Sequence, residues 1–392
     1  MSSEGRIVLL YVQHLLGIGH VYRASRVARA LTRHGFKVHL VWGGTRLPSI
    51  NLSGLEVTFL DPVRSVDAEF SALVRPDGKP AGEALLAGRR DKLLGLFHSI
   101  RPDIVVTEAF PFGRRKMRFE LVPLMEAARK ALWRPMTVAS IRDIMAENRR
   151  EDRARESARM ARDWYDLILV HGDPSLIRIE ATLQYAGELT EKIRYSGIVA
   201  PEPPDFSVAP TIRADVVVSA GGGAVGHDLT KAAIGANSYS RLVPDNWLLV
   251  VGPERAEADY EALRRQAGEG MRVVRFLPDL TRVMASARVS VSRAGYNTVA
   301  DVMRAGCRAV LCPFEGGDET EQLRRARLFE RNGMVRIVRD GDLDASALGK
   351  AVDEAVTFSP KMHAIDLNGA ENSAKIIAAE LALHRSKFSP SN

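Results

Sequence analysis

Hydrophobic and polar positions along the chain switch between two periods. A short apolar run, Ile7–Val12, leads through a turn containing Gly17 and Gly19 into a stretch from about His20 to His34. There Val21, Ala24, Ala28 and Leu31 recur at helical spacing. Arg23, Arg26, Arg29 and Arg33 occupy other faces, so one stripe reads as core and the rest as solvated. Gly35 stops the helix and Phe36–Trp42 is a second strand, which completes a βαβ unit. Strand-like runs at Ile104–Thr107, Met136–Ile141, Leu167–Val170 and Ile193–Ser196 follow, separated by helical or loop segments. This alternation predicts a parallel, doubly wound α/β sheet.

The segment SGIVAPEPPDFSVAP, Ser196–Pro210, holds four prolines and few periodic apolar residues, and reads as a linker. A second series begins beyond it with Asp215–Ser219, Trp247–Val251, Arg272–Phe276, Val289–Ser292 and Ala309–Cys312. Two Rossmann-like domains are therefore expected, residues 1–205 and 206–392. A last helical stretch, Ala370–His384, either completes the second domain or packs back on the first.

Composition narrows the class. With 392 residues, 46% hydrophobic and 26% charged, the chain is long enough for two cores and has neither the bias of disorder nor a long apolar run. Met1–Arg6 lacks the charged flank and cleavage site of a signal peptide, so a cytoplasmic protein is expected. The two cysteines, Cys307 and Cys312, have no second pair at zinc-ligand spacing and read as core thiols. Of the net charge of +7, residues 1–205 carry +6, from 31 Lys and Arg against 25 Asp and Glu. An anionic partner for the first domain follows. The basic residues are not interleaved with aromatics and no nucleic-acid-binding motif is present, so an acidic acceptor or peripheral contact with an anionic membrane at the inner face fits better than nucleic acid.

Four segments can carry chemistry. The first turn, LLGIGHVYRA, lacks the third glycine of a dinucleotide fingerprint, and Val41-Trp42-Gly43 ends the second strand without a ribose-binding acid. What remains is Gly19 and His20 at a helix N-terminus that favours an anion. His20 either faces the chemistry or caps the helix. SAGGGAVGHDL supplies Gly221, Gly222, Gly223 and Gly226, which let backbone approach a diphosphate, and no Walker lysine follows. VSRAGYNTVADVMRAG brings Asp301 one helical turn after Asn297 and Thr298. CPFEGGDETEQLRRA places Glu321, Gln322 and Arg325 on a helix after a double-glycine loop; these either accept from sugar hydroxyls or form a solvated charged face. Asp340-Gly-Asp342 matches the Asp-x-Asp string of a cation site. It follows a strand and precedes a helix that Asp344 can cap, which favours a loop-and-cap reading and no metal.

SRAGYNTVAD followed by PFEGGDETEQLRRA closely resembles the nucleotide-sugar half of glycosyltransferase family 28, the MurG family. LGIGH resembles that family's first glycine loop, and GGGAVG stands where its GGSxGA loop falls. EAFPFGRRKMRFELVPL, SIRDI, LVHGDP and EQLRRARLFERNG are similar to a group of MurG-like bacterial glycosyltransferases. The resemblance implies the GT-B fold, two Rossmann-like domains facing a cleft. It also implies a nucleotide-diphosphate sugar as donor, UDP-sugar by default, and no cofactor. Carried over by position, Asp301 holds the donor ribose and Tyr296, Asn297 and Thr298 line the diphosphate. Phe276 and Leu277 meet the base, Gly222 and Gly223 approach the phosphates, and Gln322 with Glu321 binds the sugar. The family's HEQN segment is replaced here by Arg142-Asp143-Ile144, which points to a small-molecule, lipid-linked or glycan acceptor other than the peptidoglycan precursor.

The implied reaction is an inverting displacement in which a base deprotonates an acceptor hydroxyl. His20, Glu108 and Asp143 all fall at strand carboxyl ends and are candidates, with His20 ranked first and Glu108 second. Arg114, Arg115 and Arg142 are candidates to grip an acidic acceptor or lipid phosphate, against a solvated loop for the basic run. Two rivals share these features: a nucleotide-sugar 2-epimerase, and a non-catalytic nucleotide-sugar-binding subunit.

Overall fold

The branched apolar runs assemble into two separate parallel sheets, because a strand covered on both faces must be apolar at nearly every position. The computed structural model describes residues 5–67, 70–145, 150–222, 227–253, 255–317, 319–361 and 364–388. Gly223 and Gly226 lie outside the described residues. One unit comprises Met1–Val199 with Asn368–Asn392 and the other Ala200–Leu367. The division thus falls within the proline-rich segment, between Val199 and Ala200, and the last helix returns to the first unit.

In the first unit, β1 (Ile7–Val12), α1 (Gly19–Arg33), β2 (Lys37–Trp42) and β3 (Glu56–Phe59) are followed by a two-stranded hairpin, β4 (Arg64–Ser65) and β5 (Leu73–Val74). Then come α2 (Glu83–Ile100), β6 (Ile104–Glu108), α3 (Arg118–Lys130), β7 (Met136–Arg142), α4 (Glu151–Trp164), β8 (Leu167–His171) and β9 (Ile193–Tyr195). The sheet runs β3-β2-β1-β6-β7-β8-β9, so the strand order reverses between β1 and β6. Alternate residues of β1 serve the two faces. Leu9 and Tyr11 join a core with Leu93 and Phe97 of α2 and Leu121 and Leu124 of α3, while Val8 and Leu10 pack with Val21, Ala28 and Leu31 of α1. The short edge strand β3 carried too little alternation to be predicted.

The second unit contains β10 (Val216–Ser219), α5 (His227–Ala236), β11 (Trp247–Val250), α6 (Glu257–Gln266), β12 (Met271–Val274), α7 (Leu280–Ser286) and β13 (Val289–Ser292). It continues with α8 (Tyr296–Ala305), β14 (Ala309–Leu311), α9 (Glu321–Arg331), β15 (Arg336–Ile337) and α10 (Ala345–Thr357). Its sheet order is β12-β11-β10-β13-β14-β15, with the reversal between β10 and β13. Cys307 and Cys312 are free thiols that burial pushes up to about 12, so both stay protonated.

The last helix, α11 (Gly369–Ser386), packs on α1 of the first unit, and Ala374, Ile377 and Leu381 complete the core face beneath it. A Cβ on Gly369 would lie 2.5 Å from the Gly197 carbonyl oxygen, so only glycine lets the helix start this close to the chain leaving β9. Glu371 accepts from His34 Nε2 at 3.0 Å and from Arg33, and Arg194 pairs with Glu380 at 2.8 Å.

A buried polar network fixes the chain just after β1. Arg89 of α2 and Glu120 of α3 form a two-pronged ion pair at 2.7 and 3.0 Å. Tyr11 donates to Glu120 at 2.5 Å, and Arg89 also donates to Gln13 Oε1 at 3.0 Å and to the Gly43 carbonyl at 2.8 Å. A Cβ at Gly43 would meet Gln13 Oε1 at 2.0 Å, so the position where a dinucleotide fold places its ribose-binding acid is filled from below. Beside it, burial and then the Arg114 charge hold the His14 imidazole down at about 4. Burial and then Arg23 hold the interior His171 at about 3.

Two outcomes follow. Ile377→Ala removes buried volume from the face that α11 closes and lowers unfolding free energy by about 2–4 kcal/mol, read by urea denaturation. His14 and His171 take up protons in the unfolded chain near the ordinary imidazole value but in the fold only near 4 and 3. Stability is therefore complete above about pH 6.5 and falls as pH drops through that value toward 4, with His14 alone costing about 3 kcal/mol. Denaturation midpoints that hold steady from pH 7 to 4.5 would mean that these rings are charged in the fold.

Candidate functional site

In open α/β sheets ligands bind beyond the carboxyl ends of the strands where the order reverses. In the first unit that point lies between β1 and β6, and it brings together His20, in the first turn of α1, and Glu108, the last residue of β6. His20 Nδ1 is 3.1 Å from Glu108 Oε1. No side chain caps α1, so His20 does not serve as its cap. Glu108 is 1% exposed and ion-paired with Arg23, whose guanidinium also lies 3.2 Å from His20 Nδ1. His20 Nδ1 thus faces a carboxylate that only accepts, at 3.1 Å, and a guanidinium that only donates, at 3.2 Å; with the proton on Nδ1, toward the nearer carboxylate, the lone pair is on Nε2. Burial, then the cations of Arg114, Arg23 and Arg142 and the nearby His14, hold the His20 pKa well below the ordinary imidazole range. With its side chain 16% exposed, His20 is a neutral imidazole able to take a proton.

Several sequence-derived roles change here. Arg23, read as solvated, is buried because the carboxylate it neutralises is buried. Glu108 is engaged with Arg23 and His20 and further accepts from Ser140 Oγ at 2.6 Å, so both of its oxygens have partners within the unit. Asp143, past the end of β7, accepts from the Ile144 backbone N–H at 2.8 Å and packs over Gly172. Among the arginines, Arg114 and Arg142 both act on His20. Arg114 donates to the Gln13 carbonyl at 2.7 Å, and burial followed by the Arg142 charge lowers its pKa to about 10. Arg115 instead pairs with Glu156 at 2.7 Å, a carboxylate that Arg118 shares at 2.7 Å. One carboxylate thus serves two arginines.

In the second unit the reversal lies between β10 and β13, and the expected donor residues line the carboxyl ends around it. Gly222 follows β10, and Gly221 before it turns with φ 81°. Phe276 and Leu277 follow β12; Phe276 is 39% exposed, an aromatic face open to a base, while Leu277 is buried. Gly295 opens α8, which no side chain caps, and its first turns carry Tyr296, Asn297, Thr298 and then Asp301. That helix end supplies a positive dipole next to the glycine turn.

Tyr296 and Glu321 both lie buried against Arg325. Tyr296 is buried, with the Arg325 guanidinium 5.6 Å from its ring centre. Glu321 is 2% exposed and pairs with Arg325 at 2.7 Å, and Arg325 in turn donates to the Ala294 carbonyl at 3.2 Å. A carboxylate held this way ties α9 to the start of α8. Gln322 Oε1 accepts from the Phe314 N–H at 3.2 Å. Glu319, absent from the sequence reading, accepts from the Glu321 and Gln322 N–H groups at 2.7 and 3.1 Å and so starts α9. Asp340 is paired with the buried Arg293 at 2.6 Å, and Asp344 caps α10 by accepting from Ala347 N–H at 2.7 Å. Among the described residues no group of three or more His, Cys, Asp or Glu is placed to hold a metal ion. Ser140 and His171 were also missed; their signal was a polar residue near the end of an otherwise apolar run.

Comparison with known proteins agrees with this geometry. Residues 216–381 match the glycosyltransferase family 28 C-terminal domain. The UDP-N-acetylglucosamine–N-acetylmuramyl-(pentapeptide) pyrophosphoryl-undecaprenol N-acetylglucosamine transferase of Paraburkholderia xenovorans is 24% identical over 84% of this chain and 82% of its own length. The same enzyme from Paraburkholderia phymatum is 35% identical over 23% of this chain, which spans 24% of that relative. Among solved structures, MurG from Acinetobacter baumannii matches with a TM-score of 0.55 at 16% identity, covering 95% of this chain and 99% of that one. The calicheamicin glycosyltransferase CalG4 matches with a TM-score of 0.59 at 16% identity, covering 98% and 97%. The fold is therefore GT-B, residues 216–381 match the family 28 C-terminal domain, and over most of its length the chain is similar to MurG-like glycosyltransferases.

Proposed function

We propose that this chain transfers a sugar from a nucleotide-diphosphate donor, a UDP-sugar by default, to an acceptor hydroxyl by inversion and without a metal ion. The observation that carries the reading is the neutral His20 imidazole held through Nδ1 on a buried carboxylate at a sheet switch point. In the reaction His20 Nε2 takes the acceptor hydroxyl proton as the oxygen bonds to the anomeric carbon. The bond from that carbon to the diphosphate breaks on the opposite face, and the nucleoside diphosphate leaves with the electron pair. Gly222 and the α8 N-terminus meet the leaving charge, each well-placed donor contributing about 3–4 kcal/mol in the transition state. The pairing of Asp340 with Arg293 supports a mechanism in which helix dipole and backbone take the place of a cation.

For the donor we assign Asp301 to the ribose, Phe276 and the Leu277 backbone to the base, and Asn297 and Thr298 to the diphosphate. Gln322 is assigned to the sugar, with its amide nitrogen as the reaching group, since Oε1 is bound to Phe314. The named relatives act on a pyrophosphoryl-undecaprenol acceptor. From them we carry over a lipid-linked acceptor as a class, in glycolipid or surface-polysaccharide synthesis, gripped by Arg114 and Arg142. Among the described residues no helix is long and apolar enough to cross a membrane. A peripheral position on the inner membrane face follows from the basic first unit and this acceptor class.

His20→Ala is expected to lower turnover roughly 10²- to 10⁴-fold with little change in donor KM, measured as acceptor-dependent release of nucleoside diphosphate. Release without acceptor, or retained turnover in the variant, would point to a different chemistry such as epimerisation. A thermal-shift series with UDP, dTDP, GDP and CDP in EDTA names the base. The matching diphosphate at about 100 times its Kd adds roughly 2.7 kcal/mol of stability, and Asp301→Ala abolishes that gain. Stabilisation that EDTA removes would overturn the metal-free assignment.

A further inference from the structure

The contacts of Glu108 continue beyond His20. Ser140 stands directly opposite Glu108 in the β6–β7 register, and its Oγ lies 2.6 Å from Glu108 Oε2 and 2.8 Å from His171 Nε2. His171 Nδ1 in turn is 2.9 Å from Ser196 Oγ, just past β9. Ser140, His171 and Ser196 are all buried, so water does not supply substitutes for these bonds.

From Glu108 through Ser140 to His171 the proton inventory has one solution. Glu108, paired with Arg23, only accepts, so the single hydroxyl proton of Ser140 goes to Oε2. The Ser140 oxygen then receives a proton from His171 Nε2. A neutral His171 carrying its proton on Nε2 has a lone pair on Nδ1, which faces the Ser196 hydroxyl, whose one proton also has an acceptor in the Gly197 carbonyl oxygen at 3.0 Å. Both donors next to Glu108 point toward it: His171 to Ser140, and Ser140 to the carboxylate. Such one-directional chains polarise each member and strengthen the bond at the charged end.

We propose that Ser140 and His171 are positioning residues for the His20–Glu108 pair, holding Glu108 Oε2 through a buried hydrogen-bond row across β7 and β8 so that Oε1 stays aimed at His20 Nδ1. The proposal deepens the transferase reading, on which its kinetic part rests. No proton travels along the row. With Oε2 tethered on one side and Oε1 on the other, the carboxylate cannot rotate, and the imidazole keeps Nε2 as its free lone pair. Removing the Ser140 hydroxyl leaves Oε2 without that donor in a buried setting, and the carboxylate is free to rotate and shift Oε1 off His20.

The test uses the full chain labelled with ¹⁵N-histidine. In the wild type, His171 shows the Nε2–H tautomer and does not titrate between about pH 5.5 and 8. Ser140→Ala moves the His20 Nδ1 resonance and lowers kcat about 10- to 100-fold with donor KM within about twofold, and Ser140→Thr restores most of the rate. His171→Leu reproduces the Ser140→Ala effect on the His20 resonance. An Nδ1–H or titrating His171 overturns the proposal, as does a Ser140→Ala protein with an unmoved His20 resonance and wild-type kcat. Retained turnover in His20→Ala, alongside the expected His171 tautomer and His20 shift, sinks the assignment of the base and leaves the positioning row in place.

Discussion

One buried negative charge organises the first unit. Glu108 ends a central strand where water hardly reaches, and an unpaired carboxylate there would cost several kcal/mol. The fold meets that cost by bringing Arg23 inward from a helix that otherwise presents arginines outward, and by setting His20 and Ser140 on the two oxygens. The same arrangement makes His20 useful. Burial, and then more cations than Glu108 can balance, keep the imidazole neutral, with a lone pair on its second ring nitrogen. Beneath, the Arg89–Glu120 pair fixes the chain between β1 and α1, so the imidazole is carried on a rigid turn.

The second unit spends its buried charges differently. Glu321 with Arg325, and Asp340 with Arg293, join neighbouring strand-to-helix connections at the carboxyl edge of the sheet. Each pair holds a loop in one geometry, and what they leave at the edge is mostly backbone: the glycine turn after β10 and the opening of α8. Such a surface is suited to a diphosphate, whose oxygens are met by N–H groups that need no rearrangement as charge develops.

Much of this was legible in the chain because periodicity and glycine placement are local. Both strand series, the switch-point loops, the linker and His20 at a helix start all follow from spacing within a few residues. Pairings were not legible. Glu108 and His20 are separated by 88 positions, and nothing in either segment states that they meet. Arg23 and Glu321 sit on helices with charges on several faces, where pattern alone assigns them to solvent. Burial reverses that assignment when a charged partner is waiting inside, as Glu108 is for Arg23 and Arg325 is for Glu321. Arg115 shows the same limit at the surface, since a basic run gives no sign of the Glu156 of α4 that the fold brings to it.

The docking of α11 onto α1 has a consequence for how the chain is made. Ala374, Ile377 and Leu381 belong to the core of the first unit yet are synthesised after the whole of the second. On the ribosome the second unit emerges as an uninterrupted stretch and can close as soon as it clears the exit tunnel. The first must wait, one flank of its sheet uncovered, until the final helix is released. For this protein the half translated first is the half finished last, and the interval between the two is when its apolar face is open to chaperones and to aggregation.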